Sequence, residues 1–324
     1  MIDGPTSARR ASISASVILI AVILGYIAGY RPFGAGFDFY QYWYFYNRIG
    51  PFSNLSDFRF EPGFVLIAKI SSQIIGLNYF QFAAAISAIC LIVKFRSLEG
   101  LESFIPALMF YLCVYFPLHE NTQIRIALAI SVLFFSTRYL FSENWLKFAI
   151  ASALAVTFHT TAIIASVSLI SCYFLSKFHI GYGIAIAVII SALMSSFLGM
   201  ILSDLMELNP LLENSLNISI NPNVFSITNI FTVAFLFFYI LSGSARDRRS
   251  KTFFLVSCFG ISAFLGLYAV PVMAHRIKEL LLVFMTFIAF EYRWNNKTYP
   301  QAALAIVLAI GSLYGSIITG FFSD

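Results

Sequence analysis

Charge is what this sequence has least of. Among 324 residues only 11 % are Asp, Glu, Lys or Arg, whereas 60 % are hydrophobic and the mean hydropathy is +0.84. A soluble domain carries about 25 % charged residues. So few charges cannot clothe a water-facing surface, which excludes a cytosolic enzyme and a disordered chain. Cysteine is scarce too: Cys90, Cys113, Cys172 and Cys258 each sit in an apolar run, with no CxxC pair and no metal-ligand spacing. That excludes a disulfide scaffold and leaves them as small buried hydrophobes. With no Asp-x-Asp and no His pair, neither a metal nor another cofactor is expected. The net charge of +5 is spread along the chain as single basic residues, so nucleic acid is not expected as a partner.

What is present is a series of apolar runs. Arg9 and Arg10 precede an uncharged stretch, Ala11 to Tyr30, long enough to span a bilayer and longer than the apolar core of a cleaved signal peptide. The positive-inside rule puts the N-terminus in the cytoplasm. Further apolar segments run over 63–77, 79–95, 104–118, 124–141, 148–158, 160–176, 180–202, 226–242, 253–270, 277–290 and 301–320. The expected fold is all-α: a single polytopic membrane domain over 1–324 with roughly ten to twelve transmembrane helices. Residues 31–62 form a first extracytoplasmic loop and 203–226 a second. Cytoplasmic ends are marked by Arg246, Arg248, Arg249 and Lys251, then by Arg293 and Lys297. Nine apolar segments lie between Arg10 and Arg246, yet two cytoplasmic markers require an even number of crossings. The region 61–96, interrupted by Lys69, Gln73, Gly76 and Asn78, is therefore expected to make one net crossing with a part that lies at the interface or re-enters.

Ionisable residues at membrane depth are the informative ones, because each costs about 2.5 to 3.5 kcal/mol at a helix centre. Four places carry them: Asp38, Arg48, Arg59 and Glu61 in the first loop; His119, Glu120, Gln123 and Arg125 where a helix opens; His159 between two short apolar arms; and His275, Arg276, Lys278 and Glu279 where another helix opens. The topology puts all four at the outer face. Each also has a plain reading. A helix-end Arg snorkels to headgroups, His159 satisfies a tight turn, and Asp38 and Glu61 are solvated loop acids. The eight aromatics from Phe37 to Tyr46 form either an interfacial belt or a sugar-stacking surface. The sequons at Asn54, Asn217 and Asn296 are chance matches.

The order of these residues has a counterpart: Asp38 in an aromatic first loop, Glu-Pro-Gly-Phe at 61–64, Gln-Ile-Arg-Ile-Ala at 123–127, Lys-Phe at 147–148, Phe-His at 158–159 and His-Arg-Ile at 275–277. Over roughly residues 20–290 the chain resembles the EpsG-like family of polysaccharide polymerases, related in role to the Wzy O-antigen polymerases. The resemblance implies a multi-pass protein of the bacterial cytoplasmic (inner) membrane with a GT-C-like helical body. It would join undecaprenyl-pyrophosphate-linked repeat units of an O-antigen, capsule or exopolysaccharide at the extracytoplasmic face, alongside a flippase and a chain-length regulator. The residue types suit that chemistry. Arg125 and Arg276 can fork phosphate oxygens of the departing pyrophosphate. His159 is the first choice as proton acceptor for the acceptor hydroxyl, with Glu61 and Asp38 as rivals. Tyr42, Trp43, Tyr46 and Gln123 are candidates for holding the glycan. Two alternatives stay open: a flippase or transporter for lipid-linked sugars, and a GT-C transferase adding one sugar from a polyprenyl-phosphate donor.

Overall fold

The computed structural model describes residues 7–31, 38–50, 60–99, 101, 103–208, 223–268, 270–290 and 299–318. The expectations placed on Phe37, Asn54, Arg59, Asn217, Arg293, Asn296 and Lys297 lie outside these residues, as do most of the 203–226 loop and parts of the 31–62 loop. Among the described residues the chain is all-helical, as its long apolar runs require. The helices are α1 (Ser7–Gly29), α2 (Phe39–Arg48), α3 (Pro62–Lys69), α4 (Tyr79–Leu98), α5 (Phe104–Val114), α6 (Phe116–His119) and α7 (Ile124–Phe141), then α8 (Trp145–Phe158), α9 (Ala162–Leu175), α10 (Ile180–Leu208), α11 (Ile227–Leu241), α12 (Arg248–Gly266), α13 (Pro271–Leu282) and α14 (Tyr299–Ile318). Tyr79–Leu98, Ile124–Phe141 and Tyr299–Ser316 are long and apolar enough to cross a membrane, and several shorter apolar helices accompany them.

The interruption read at 69–78 is a change of helix type. α3 passes into a π-helical stretch, Ile70–Ile75, that ends at Gly76 with φ 78°. Only glycine holds that left-handed backbone without a steric penalty. Asn78 then starts α4 with a reciprocal cap: its side chain accepts from the Gln81 N–H while Gln81 Oε1 accepts from the Asn78 N–H. The residue run expected from 277 begins nearly two turns earlier, at Pro271, so His275 and Arg276 sit inside α13. The helix expected to end at 202 continues to Leu208.

The chain divides into two compact units, 1–100 with 112–162 and 313–324, and 101–111 with 163–312. In the first, α1 crosses α4 at Gly25 and Gly29, where an added Cβ would lie 2.6 Å from Ala88 and 2.4 Å from Ala84. Small residues four apart on both helices let the backbones touch, which is how apolar helices associate when lipid offers no hydrophobic driving force. α7 lies against α4, with Ser131 Oγ donating to the Cys90 carbonyl at 3.2 Å. Fully buried Lys94 of α4 forms an ion pair with fully buried Glu120, and Ser87 Oγ donates to the Glu120 carbonyl at 3.1 Å. α7 turns back into α8 through Glu143, at φ 55°, and Asn144, whose side chain caps α8 by accepting from the Lys147 N–H.

In the second unit α10 packs on α12 through Gly183, against Leu255, and Gly266, against Ser191; Ser191 Oγ donates to the Ser262 carbonyl at 2.6 Å. α9, α10, α12 and α13 enclose an apolar cavity of about 670 Å³ lined by Val167, Ile190, Phe259, Ile277 and Leu281 among others.

Candidate active site

The Glu-Pro-Gly-Phe run makes sense residue by residue. Glu61 is the extended residue before α3, with φ −63° and ψ 145°, and Pro62 supplies the fixed φ suited to the first helical position. Gly63 lets α3 approach α8: a Cβ there would lie 2.4 Å from Thr157 Oγ1. Phe64 is fully buried and joins a ring cluster with Phe45, at 5.7 Å, and Phe60, at 5.8 Å. That cluster pins the aromatic helix α2, since Phe45 also meets Phe60 at 4.5 Å and Tyr46 stacks on Phe82 at 4.7 Å.

The Glu61 carboxylate does not cap its own helix. Instead it reaches α7 and the α8–α9 turn. Its Oε2 accepts from Arg125 Nη1 at 2.6 Å. Its Oε1 lies 3.0 Å from His159 Nδ1, and accepts from the Thr160 N–H at 3.1 Å and from Thr160 Oγ1 at 3.4 Å. Arg125 Nε donates to the Tyr42 hydroxyl at 3.2 Å, and the guanidinium lies 4.5 Å over the Phe60 ring. Burial alone would raise the pKa of Glu61. The His159 hydrogen bond, the Arg125 charge and the backbone N–H donors outweigh it and hold the carboxyl down at about 2. Glu61 is thus a permanent anion and a poor proton acceptor.

His159 ends α8 in an extended conformation, with φ −156° and ψ 120°. A carboxylate can only accept, so Nδ1 carries a proton, and in the neutral imidazole the lone pair is at Nε2. Nε2 is enclosed and has no hydrogen-bond partner among the described residues. Arg125 spends Nε on Tyr42 and Nη1 on Glu61, leaving Nη2 without a protein partner among the described residues. Four of the residues singled out from sequence therefore come together: Tyr42, Glu61, Arg125 and His159.

Others are placed differently. Asp38 precedes α2 and makes no ion pair among the described residues, although its charge acts on Tyr42. Trp43 is half-buried on α2. Tyr46 donates its hydroxyl to the Leu77 carbonyl at 2.9 Å. Gln123, at the start of α7, has its side-chain oxygen enclosed without a partner. Glu120 pairs with Lys94, away from the Arg125 set, and His119 stacks on Tyr115 at 5.7 Å. In the second unit Arg276 is exposed on α13, His275 lies edge-on to Phe264 at 5.0 Å, and Lys278 Nζ donates to Asn229 Oδ1 at 3.1 Å. Thr160 and Phe60 were not foreseen; the Phe-His-Thr-Thr string held the only hint of the first.

Among the described residues no group of three His, Cys, Asp or Glu side chains is arranged to hold a metal ion. Comparison with curated proteins and with solved structures gave no match. The EpsG family model matches residues 14–321, nearly the whole chain. The chain belongs to the EpsG family, whose association is with polysaccharide synthesis by glycosyl transfer at the membrane.

Proposed function

We propose that this protein is a polymerase of undecaprenyl-pyrophosphate-linked oligosaccharide repeat units, acting at the extracytoplasmic face of the bacterial inner membrane. Family membership supports the polysaccharide-polymerase role in outline. The observation that carries the chemistry is the Glu61–His159 hydrogen bond, which leaves the enclosed Nε2 as the free lone pair.

In this mechanism His159 Nε2 takes the proton of the acceptor sugar's hydroxyl as the oxygen attacks the anomeric carbon of the donor glycan. The new glycosidic C–O bond forms as the anomeric bond to pyrophosphate breaks, and undecaprenyl pyrophosphate leaves as the anion. Glu61, ionised throughout, orients the imidazole and stabilises the imidazolium that forms, as a carboxylate does in a Ser-His-Asp triad. Arg125 holds Glu61 in place and has Nη2 left for a phosphate oxygen. Charge stabilisation of this kind is commonly the largest catalytic contribution. Asp38, outside that hydrogen-bonded set, is the weaker candidate base. Trp43 and Gln123 are the candidate glycan contacts, whereas Tyr42 and Tyr46 hold α2 in position. Arg276 offers an exposed guanidinium for phosphate on the second unit.

Purified protein in nanodiscs, given synthetic lipid-linked repeat units, tests this by gel. A ladder of dimers and longer glycans with release of undecaprenyl pyrophosphate is expected. Addition of a single sugar, or movement of the lipid-linked unit between leaflets without bond formation, would replace the polymerase with a GT-C transferase or a flippase.

A further inference from the structure

Arg31 directly follows α1 and is only 6 % exposed, yet Nε, Nη1 and Nη2 are all enclosed and none has a hydrogen-bond partner among the described residues. Its guanidinium lies 5.4 Å over the Phe39 ring. Phe39 meets Tyr79 edge-on at 5.5 Å, and the Tyr79 hydroxyl is likewise enclosed without a partner. Arg31 interacts electrostatically with Tyr79, Tyr42 and Asp38, and Tyr42 in turn accepts from Arg125. Arg31 and the Glu61–Arg125–His159 set therefore share one electrostatic neighbourhood. Asp38 is the acid of this neighbourhood, and it forms no ion pair with Arg31.

An enclosed guanidinium with five N–H donors and no acceptor is a costly arrangement. Desolvating such an ion is costly, and a single cation–π contact offsets only part of that cost. Buried polar groups in native proteins are almost all hydrogen-bonded, so two donor groups that both meet the Phe39 ring and find no acceptor among the described residues call for an acceptor from outside the chain. The acceptor they fit is planar or tetrahedral, anionic and rich in oxygen.

We propose that Arg31 and Tyr79 form an oxyanion pocket that takes a phosphate-type group, with the guanidinium forking two oxygens and the Tyr79 hydroxyl donating to a third. Two sources carry that group to this boundary: the pyrophosphate of a lipid-linked glycan, and the headgroup of a membrane phospholipid. Only the first source rests on the polymerase function proposed above. Arg31 then supplies the cation that Arg125, already paired with Glu61, supplies only in part.

The test uses the full chain in dodecyl maltoside, with inorganic pyrophosphate, farnesyl pyrophosphate and dioctanoyl-phosphatidylglycerol as separate probes, read by calorimetric titration and thermal melting. Charge-assisted hydrogen bonds of this class are lost at a cost of about 10- to 100-fold in affinity. Arg31→Gln is expected to weaken the probe that binds by that factor, and Tyr79→Phe by roughly 3- to 10-fold. Without any probe, Arg31→Gln should melt at the wild-type temperature or above it, because an unpaired charge has been removed. Binding of the pyrophosphates assigns the pocket to the lipid-linked substrate; binding of phosphatidylglycerol alone assigns it to the bilayer. Unchanged affinity of Arg31→Gln for all three probes, or a probe-free melting point well below wild type, overturns the pocket. Arg31-dependent pyrophosphate binding with no glycan ladder would overturn the polymerase function and leave the pocket standing.

Discussion

If Glu61 and His159 act as one device, removing either should cost nearly as much as removing both. Glu61→Gln keeps the size of the side chain and one acceptor oxygen but loses the charge that receives Arg125 at 2.6 Å and His159 at 3.0 Å. General-base assistance is worth about 10² to 10⁴ in rate, so Glu61→Gln and His159→Ala are each expected to slow chain growth by a factor in that range. The double variant should be no more than a few-fold slower again, because groups acting as a unit are not additive. The stability side is separate. Holding the carboxyl at about 2 against an ordinary 4.5 corresponds to roughly 3 kcal/mol. Glu61→Gln should lose about that much in denaturant or thermal unfolding, whereas His159→Ala loses less because Arg125 still neutralises the carboxylate. The assay is initial rate of ladder formation in nanodiscs, with unfolding measured on the same samples. Multiplying effects in the double variant, or a Glu61→Gln protein with wild-type rate, would refute the coupling and with it the choice of His159 as base.

Four further outcomes follow from the geometry. The Glu61 contribution to stability is present in full above pH about 4.5 and is lost as pH falls through about 2, since the folded carboxyl is depressed; the gap between wild type and Glu61→Gln in melting experiments should close over that window. Gly63→Ala places a methyl 2.4 Å from Thr157 Oγ1 and should cost about 1 to 3 kcal/mol of stability while moving Glu61 off His159, seen as a fall in polymerisation rate. Arg125→Lys keeps the charge but cannot serve Glu61, Tyr42 and a phosphate together, and about a tenfold loss of rate is expected in the ladder assay. Lys94→Met leaves Glu120 buried and unpaired, costing about 3 to 5 kcal/mol in unfolding, and adding Glu120→Leu should restore most of it.

The sequence announced the helices because lipid leaves an apolar run little alternative, and the interrupted stretch at 69–78 was visible through its polar and glycine residues. It also brought forward Glu61, Arg125 and His159, since ionisable groups stand out against so apolar a background. What it hid was partnership. Glu120 lies five residues before Arg125 in the chain, but it faces Lys94 across α4, a pairing that spacing along one strand of sequence cannot reveal. Arg31 directly follows α1, and spacing along the chain gave no sign that its guanidinium lies over the Phe39 ring, which Tyr79 meets edge-on. Tyr46 looked like its neighbour Tyr42, yet one hydroxyl goes to a carbonyl and the other to a guanidinium. Identity of residue type was legible; the third dimension that divides anchors from reactive groups was not.

The turn between α7 and α8 fixes a depth. α8 has 14 residues and α7 has 18, which at 1.5 Å per residue gives about 21 and 27 Å of rise from the turn to His159 and Arg125. A hydrocarbon core is about 30 Å thick. Under the proposed topology, with the turn at the cytoplasmic surface, these two helices would carry the carboxylate, imidazole and guanidinium to the opposite boundary, where headgroups meet acyl chains. A freely diffusing sugar donor has no route to such a depth, whereas a donor tethered to a lipid is already suspended there by its own tail. In the proposed polymerase the short hairpin would thus select substrates by their address in the bilayer before any sugar is read.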